Sequence, residues 1–526
     1  MFELMRYVSK QVVKRQGRMG WSDATCVHII LEIRVVSLVT VLLFTTIMHG
    51  NHVVHCSSNV ATTPPRGWNS YDAFSWIISE EVFLENARVV AEKLLPFGYE
   101  YVVVDFLWYR ENDGTASTTR GKDFVDKYGR PQPDPQRWPS SRNGQGFKHV
   151  ADKVHNMGLK FGIHVMRGIS LAAVDKNTLI LNAKGSPDAS GRSWTARDIA
   201  LLGEECAWMW NSFTRVNLSC SGGQAFIKSL YQQYADWGVD LVKHDCIFGS
   251  DLVLDEVTAV SQVIANTGRP IVYSLSPGVG ATPAMALQVA HLANMYRVSR
   301  DNWDSWNSLQ PHFDIARDFA YAGLVGVNQA QGGRSWPDLD MLPFGFLTNP
   351  DDSRSVDRPC DLTVDEQQTE MTLWAIAKSP LMFGGDLRYL DDTTFALLTN
   401  VLVLQMNAHS TGNTQLIHTS SRDIEDTRIW VAAGTSGEWF IAVFNLGSSM
   451  KLIPVNLAEV KQALEGDNPA ICTSSLICEG IDVWKNQFLE NVTNYVNATV
   501  PMHGAVLYSI KCSCLAQYRA LVESIQ

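Results

Sequence analysis

Two aspartates, Asp245 and Asp301, lie at or just beyond the ends of apolar runs that predict buried β-strands. Asp245 closes VDLVKHD at 239–245, and Asp301 follows NMYRVSR at 294–300. Barrel enzymes carry their chemistry at the carboxyl ends of parallel strands. Hydrolysis of a glycosidic bond needs one carboxylate to attack or stabilise an oxocarbenium-like centre and one carboxylic acid to protonate the leaving oxygen. Two strand-end aspartates could supply both groups.

Basic side chains accompany both aspartates. Lys243 precedes Asp245 by two residues and shares its face of the strand, so its ammonium would hold Asp245 ionised. Arg297 precedes Asp301 by four residues, and Asp301, further out on the loop, is the better proton donor. A lone strand-end aspartate more often caps the next helix. A cap needs neither cation nor the following NWDSW at 302–306, so the context favours catalysis.

The elements that position these residues form a βα alternation from 66 to about 390. Strands are predicted at 66–71, 99–105, 159–165, 239–245, 270–276, 294–299, before Asp338 and at 380–384. Helices are predicted at 80–95, 146–157, 224–237 and 252–266. Eight such units predict an α/β fold, a (β/α)8 TIM barrel. A doubly wound sheet is the alternative, but no GxGxxG follows the first strand.

A second domain follows the predicted barrel. Short alternating strands at 427–432, 439–444, 450–454 and 506–510 predict a small antiparallel β domain. The predicted organisation is a leader at 1–58, the barrel at 59–398, the β domain at 399–513 and a tail at 514–526.

The N-terminal region carries a secretion signal pattern. A mostly apolar run of 14 residues at 35–48 follows a basic stretch, as in a signal peptide. A spanning helix needs about 20 apolar residues, so no stable membrane span is expected unless the leader stays as an uncleaved anchor. Glycosylation sequons begin at Asn217, Asn491 and Asn497. We expect entry into the secretory pathway, towards the cell exterior, cell wall or a vacuole- or lysosome-like compartment.

Cysteine spacing and net charge limit the disulfides, cofactors and binding partners that the protein can have. Cys246 is expected to pair with Cys206 or Cys220, and the last four cysteines (Cys472, Cys478, Cys512 and Cys514) to tie the β domain. No CxxC or His-x-His spacing suggests zinc, and we expect no metal or cofactor.

The net charge of −11 and the lack of a basic block interleaved with aromatic residues argue against nucleic-acid binding. A weakly charged carbohydrate partner fits better, and the oligomeric state stays open.

Seven motifs, taken in order, resemble those of the α-galactosidase/melibiase family, glycoside hydrolase family 27. They are GWNSYDAF (67–74), YEYVVVD (99–105), GLKFGIHV (158–165), DWGVDLVKHDC (236–246), RVSRDNWDSW (297–306), WPDLDML (336–342) and KSPLMFGGDLRYL (378–390). The resemblance covers roughly residues 60–400. It implies a retaining double displacement, with Asp245 as nucleophile and Asp301 as acid/base. The two carboxyl groups should then lie about 5 to 5.5 Å apart, whereas about 9 Å would favour inversion.

The resemblance also implies sugar-binding positions. Lys243, Arg297 and Asp105 match the residues that bind sugar hydroxyls, Asp340 matches a further pocket residue, and Tyr71 matches an aromatic near the pocket floor. Trp68 is expected to pack in the core.

Three positions depart from the family pattern. Phe106 stands where α-galactosidases carry a second aspartate that binds the O4 and O6 side of galactose, so recognition of the exocyclic CH₂OH should be weakened. β-L-Arabinopyranose lacks that group, so β-L-arabinopyranosides are expected substrates alongside or ahead of α-D-galactosides, unless Phe106 points into the barrel wall. Ser276 replaces a glutamate near the 2-hydroxyl of the sugar, so α-N-acetylgalactosaminidase activity is an alternative expectation. His164 replaces a tyrosine and is either a substrate contact or a core residue.

Two other classes of function compete with the glycosidase. A secreted carbohydrate-binding homologue without turnover would have no need of both Asp245 and Asp301. A metal-dependent barrel hydrolase would need ligand spacing that the sequence lacks.

Overall fold

The structure is a computed structural model, and it describes residues 60–112, 121–330, 332–348, 357–416, 426–465 and 476–514. The predicted leader, Cys472 and all of the predicted tail except Cys514 lie outside these residues. Within the described ranges, no helix has the length and apolar character that crossing a membrane requires.

The strands are named in chain order. They are β1 (Arg66–Asn69), β2 (Tyr101–Val104), β3 (Lys160–Met166), β4 (Ile169–Ser170), β5 (Ala200–Glu205), β6 (Phe213–Val216), β7 (Leu241–Phe248), β8 (Val272–Pro277), β9 (Met295–Arg297), β10 (Val327–Asn328), β11 (Arg334–Asp338), β12 (Phe346–Leu347), β13 (Arg358–Pro359), β14 (Leu381–Phe383), β15 (Thr411–Gln415), β16 (Thr427–Ala433), β17 (Glu438–Asn445), β18 (Lys451–Asn456), β19 (Leu476–Asp482), β20 (Gln487–Val492), β21 (Tyr495–Val500) and β22 (Ala505–Cys514).

The α-helices are named in the same way. They are α1 (Tyr71–Phe74), α2 (Glu80–Val89), α3 (Lys148–Asn156), α4 (Leu171–Lys176), α5 (Ala196–Ile199), α6 (Ser221–Trp237), α7 (Leu254–Ala265), α8 (Pro283–Val289), α9 (Trp306–Leu309), α10 (His312–Tyr321), α11 (Val364–Ile376), α12 (Asp392–Thr399), α13 (Val401–His409) and α14 (Leu457–Glu465).

The largest sheet has nine strands in the order β10-β11-β9-β8-β7-β3-β2-β1-β14. Every pair in it is parallel except β10 with β11, which leaves eight parallel strands. A parallel bridge between Leu342 and Phe383 joins the chain after β11 to β14 and closes the ring. The predicted TIM barrel is confirmed, and each of its eight predicted strands contains or overlaps an observed one.

The inward-facing side chains of the barrel strands form an apolar base and a polar mouth. Tyr101, Val103, Leu241, Val272 and Met295 belong to one buried apolar cluster inside the ring. Because side chains on one face of a strand recur every two residues, the next inward positions on β7 are taken by Lys243 and Asp245, and Asp105 directly follows the last residue of β2. The carboxyl ends of the strands therefore carry the charged groups.

An insertion between β3 and β7 covers one side of the mouth. It contains a small antiparallel sheet in the order β4-β6-β5. A disulfide from Cys206 to Cys246, with Cα atoms 6.0 Å apart, ties this insertion to the residue that follows Asp245. Cys220, the other partner considered, instead caps α6 through its Sγ. The insertion is thus covalently held beside the strand that bears Asp245.

The C-terminal region forms the predicted antiparallel β domain. Its main sheet has the order β15-β16-β17-β22-β19-β20, and β18 pairs with β21 in a second sheet. A separate apolar cluster, including Ile441, Val455 and Val506, fills the space between these elements. Cys478 pairs with Cys512 across two neighbouring strands, and Cys514 is also disulfide-bonded. Helix α11 of the barrel packs against β16, β17 and β22.

Candidate active site

A pocket of ≈ 480 Å³ opens at the carboxyl ends of the barrel strands. It is lined by nine of the residues singled out from the sequence: Tyr71, Asp105, Phe106, His164, Lys243, Asp245, Arg297, Asp301 and Asp340. Residues from six different strand ends or the loops that follow them thus converge on one cavity. Its size is typical of a small-molecule site.

Asp245 is held at the base of this pocket by two hydrogen bonds. His164 Nε2 lies 2.9 Å from Oδ2, and the Cys246 N–H donates to Oδ1 over 2.6 Å. Burial opposes ionisation of Asp245, but the bond from His164 and the charges of Arg297 and Lys243 outweigh it and lower its pKa. Asp245 is therefore a carboxylate, as a nucleophile must be.

The tautomer of His164 follows from its surroundings. Its Nδ1 is buried and has no hydrogen-bond partner among the described residues, so a proton there would be unsatisfied. With its proton on Nε2, the ring donates to Asp245 and leaves no buried N–H unpaired. His164 thus contacts the candidate nucleophile.

Asp105 and Lys243 form a buried ion pair on the pocket floor. Lys243 Nζ lies 2.9 Å from Asp105 Oδ2, which also accepts from Asn69 Nδ2 over 2.6 Å. Burial opposes ionisation of Asp105, but the Lys243 ammonium outweighs it and holds the pKa of Asp105 well below its usual range. The same pairing raises the pKa of Lys243 despite the desolvation of its ammonium. Two fixed charges are therefore available to sugar hydroxyls.

Arg297 links two further carboxyl groups at the mouth. Its Nη2 donates to Asp301 Oδ1 over 2.6 Å, and its Nη1 lies 3.4 Å from both oxygens of Asp340. The guanidinium is buried, whereas the Asp301 side chain is 62% exposed. Asp301 can therefore exchange protons with solvent and with a leaving group, which suits an acid/base residue.

Several buried acids surround the pocket, and burial opposes the ionisation of each. Burial, aided by the charge of Asp340, raises the pKa of Asp72 well above its ordinary value, and burial does the same for Glu370. Burial and Asp340 together raise the pKa of Asp338 to about 6. Burial thus favours the uncharged form of these three acids.

Phe106 forms an aromatic wall of the pocket. Its ring centroid lies 6.3 Å from that of Tyr71, 5.4 Å from that of His164 and 5.6 Å from that of Trp208. In a continuing strand, neighbouring side chains point to opposite faces, so Phe106 would point away from Asp105. Strand β2 ends at Val104, so this rule does not apply to Phe106. Phe106 and Asp105 both line the cavity.

Ser276 lies outside this lining. It is 1% exposed, and its hydroxyl has no hydrogen-bond partner among the described residues. Pro277 and Val279, from the chain just after it, line the cavity instead.

Several pocket residues were not predicted from the sequence. Asp72, Trp208, Asn302, Trp303 and Met341 all line the cavity. Asp72, Asn302 and Met341 lie inside quoted motifs directly beside predicted residues, and Trp303 lies two residues after Asp301, so their position in the sequence was a usable signal. Trp208 had no such signal, because the insertion and its disulfide bring it to the pocket.

Family models match this chain along most of its length. A model described as Alpha galactosidase A matches residues 68–179 and 214–409, which is more than half of the chain. A model described as Alpha galactosidase C-terminal beta sandwich domain matches residues 425–510.

Individual relatives agree with these models. A GH27 β-L-arabinopyranosidase from Geobacillus stearothermophilus, whose structure is also known in an arabinose complex, is 36% identical with a TM-score of 0.75, over 87% of this chain and 97% of that one. A candidate alpha-N-acetylgalactosaminidase from Bacillus halodurans is 34% identical with a TM-score of 0.71, over 86% of this chain and 99% of that one. An alpha-galactosidase from Cyamopsis tetragonoloba is 24% identical, over 86% of this chain and 87% of its own length.

Proposed function

Since the chain belongs to the α-galactosidase/melibiase family, glycoside hydrolase family 27, and is a glycoside hydrolase, we propose that it is a retaining exo-glycosidase of terminal β-L-arabinopyranosyl and α-D-galactosyl residues. The arabinopyranoside is the preferred substrate. Its substrates are oligosaccharides, polysaccharides or glycoconjugates that end in one of these sugars.

The proposed reaction uses Asp245 and Asp301 in turn. Asp245 attacks the anomeric carbon while protonated Asp301 donates its proton to the leaving glycosidic oxygen, which forms a covalent glycosyl-enzyme. Asp301 then takes a proton from water, which attacks the anomeric carbon and releases Asp245. The ionised state of buried Asp245 and the exposure of Asp301 support this division of roles.

Phe106 carries the proposed preference between the two sugars. Its ring lines the pocket next to Asp105, where a second carboxylate would bind the hydroxyl of an exocyclic CH₂OH. An apolar ring offers that hydroxyl no acceptor, so a galactoside must lose hydration there without compensation. An arabinopyranoside has no such group to desolvate. The similarity to a bacterial β-L-arabinopyranosidase at 36% identity supports the same preference.

A panel of p-nitrophenyl glycosides tests both the reaction and the preference. We expect the wild-type protein to hydrolyse the β-L-arabinopyranoside with a higher kcat/KM than the α-D-galactopyranoside, and Asp245→Ala to hydrolyse neither. Phe106→Asp should shift the ratio towards the galactoside about tenfold or more, since a hydrogen bond to a charged group contributes about 1.5–3 kcal/mol. Lack of wild-type turnover on every glycoside would refute the enzyme proposal, and an unchanged ratio in Phe106→Asp would refute the role of Phe106.

An α-N-acetylgalactosaminidase is the second candidate. A small serine at 276 and the similarity to the Bacillus halodurans protein favour it. The Pro277 and Val279 wall offers apolar contact to an acetyl group. Turnover of the p-nitrophenyl α-N-acetylgalactosaminide above that of both other glycosides would establish this candidate.

We also propose that the protein is secreted as a glycoprotein, to the cell wall or a vacuole- or lysosome-like compartment, after its leader is removed. The disulfides support an oxidising compartment. Asn491 and Asn497 are exposed and accessible to a glycosyltransferase, whereas Asn217 is half-buried and accepts hydrogen bonds from Ser219. N-terminal sequencing of the secreted protein and its mass before and after enzymatic deglycosylation test this localisation.

A further inference from the structure

The loop that carries Asp301 is held at one point by the barrel helix α11. Asn302 donates from Nδ2 to Glu370 Oε1 over 2.6 Å, and its backbone N–H donates to Asp340 Oδ2 over 2.9 Å. Asp301 itself has one side-chain bond, to Arg297, and is otherwise exposed. Its position therefore depends on how firmly the backbone on either side of it is held.

The C-terminal β domain holds the same loop four residues further on. The ring of His503 stacks on the ring of Trp306, with centroids 3.9 Å apart and planes inclined by 5°. Trp306 is the first residue of α9, which begins directly after the loop. Ser308, in the same helix, accepts from the Trp303 N–H over 2.9 Å and lies 3.4 Å from the Asp301 carbonyl oxygen. The stack thus connects the β domain to the backbone of Asp301.

His503 is itself fixed from the barrel side. Its Nδ1 lies 2.8 Å from Glu366 Oε1, and its carbonyl oxygen accepts from Thr369 Oγ1 over 2.7 Å. Glu366 lies one helical turn before Glu370 on the same face of α11, so one helix face holds both ends of the loop. His503 therefore bridges α11 and the loop.

The backbone of His503 supports a specific role for this contact. It adopts φ of 54°, a left-handed conformation that is unfavourable for a residue with a side chain. It lies in the turn closed by the Gly504 N–H and the Pro501 carbonyl oxygen, 3.1 Å apart. Such conformations persist where surrounding contacts impose them and concentrate at functional sites.

We propose that His503 of the C-terminal β domain is a positioning residue for the acid/base Asp301, acting through Trp306. This inference rests on the proposed function, because it assigns Asp301 the task of protonating the leaving oxygen. The β domain then contributes to the acid step of glycoside cleavage and leaves the nucleophilic step to the barrel. Loss of the stack between His503 and Trp306 allows the Asp301 loop to shift. A displacement of about 1 Å can cost up to about a hundredfold in rate.

Leaving-group dependence separates this role from a general loss of stability. An aryl glycoside with an acidic leaving group, such as 2,4-dinitrophenol, departs with little protonation, whereas an alkyl leaving group requires the acid. We expect His503→Asn, which tolerates the left-handed backbone but cannot stack, to lower kcat/KM for the alkyl glycoside about tenfold or more. The same variant should retain kcat/KM for the dinitrophenyl glycoside within about threefold. Asp301→Ala should show the same pattern more strongly.

Two further variants keep the test decisive. His503→Phe retains an aromatic ring over Trp306 and should recover most of the lost kcat/KM for the alkyl glycoside. Trp484→Phe removes a different contact between the two domains, the 2.9 Å bond from Nε1 to Thr372 Oγ1, and should lower kcat/KM for both glycosides equally or not at all. Thermal unfolding midpoints of all variants show which of them fold.

Each outcome is informative. Equal losses on both glycosides in His503→Asn, or no loss on either, would overturn the positioning role while leaving the proposed function intact. A wild-type protein that cleaves neither glycoside would refute the proposed function and this inference with it. A selective loss in Trp484→Phe as large as in His503→Asn would assign the effect to the whole domain contact and overturn the role of His503.

Discussion

Replacement of Asp338 by asparagine should change how the stability of this protein depends on pH. Asp338 ends β11 and is 8% exposed, and its Oδ1 accepts from the Asp340 N–H over 2.9 Å. Burial and the neighbouring Asp340 carboxyl raise its pKa from 3.8 to about 6. An asparagine oxygen can accept the same hydrogen bond but cannot ionise.

The sign follows from the raised pKa of the folded state. Well below pH 3.8 Asp338 is protonated in both states, so it adds no pH-dependent cost. As pH rises from about 4 to about 6, the unfolded state ionises while the folded state resists, and stability is lost. A shift of about 2 units at about 1.4 kcal/mol each gives a loss of about 3 kcal/mol, complete above pH 6.

Thermal unfolding of wild type and Asp338→Asn between pH 4 and pH 7 measures this loss. With an unfolding entropy of about 2 cal/mol/K per residue, a chain of this length has roughly 1 kcal/mol/K, so 3 kcal/mol corresponds to about 3 °C. The midpoint of the asparagine variant, relative to wild type, should therefore rise by about 3 °C over this range. Asp338→Ser lacks the acceptor geometry, so its thermal midpoint should be offset from that of Asp338→Asn by a constant amount. Its midpoint should depend on pH in the same way as that of Asp338→Asn. A difference between wild type and Asp338→Asn that does not vary with pH would refute the reasoning.

Three further substitutions test the electrostatics of the pocket. His164→Phe removes the hydrogen bond that helps to lower the pKa of Asp245, so the acidic limb of the pH profile of kcat/KM should move to higher pH. Lys243→Met leaves the Asp105 carboxylate buried without its cation, and the thermal midpoint should fall by an amount corresponding to about 3–5 kcal/mol, with a large loss of kcat/KM. Asp72→Asn should keep kcat/KM within about threefold near neutral pH, because burial raises the pKa of Asp72 and so favours its uncharged form; a loss as large as that in Lys243→Met would show that its ionised form is needed.

The barrel was predictable because its strands are buried on both faces and read as continuous apolar runs. The inward positions near the strand ends were also predictable, since alternation along β7 places Lys243 and Asp245 on one face. Phe106 was harder, because its direction depends on where β2 ends, and a sequence pattern gives element ends only within a few residues. Only the structure shows that its ring faces the cavity.

Long-range contacts explain what the sequence did not predict. Trp208 reaches the pocket from the insertion, whose distance along the chain from Asp245 hides the contact until the Cys206–Cys246 bridge is known. The stack between His503 and Trp306 joins residues almost two hundred positions apart, on two domains. Neither contact leaves a local pattern, because each is made by one side chain on a turn or loop.

The pairing of every cation in the pocket lining bears on which sugars the enzyme can accept. Lys243 and Arg297 are the two lysine or arginine side chains among the described residues that line the cavity, and both already contact carboxyl groups. A uronosyl residue would bring an additional anion into this cavity with no unpaired counter-charge to receive it. A chain end capped by an acidic sugar should therefore resist cleavage altogether, so that the enzyme works only on chain ends that are uncharged.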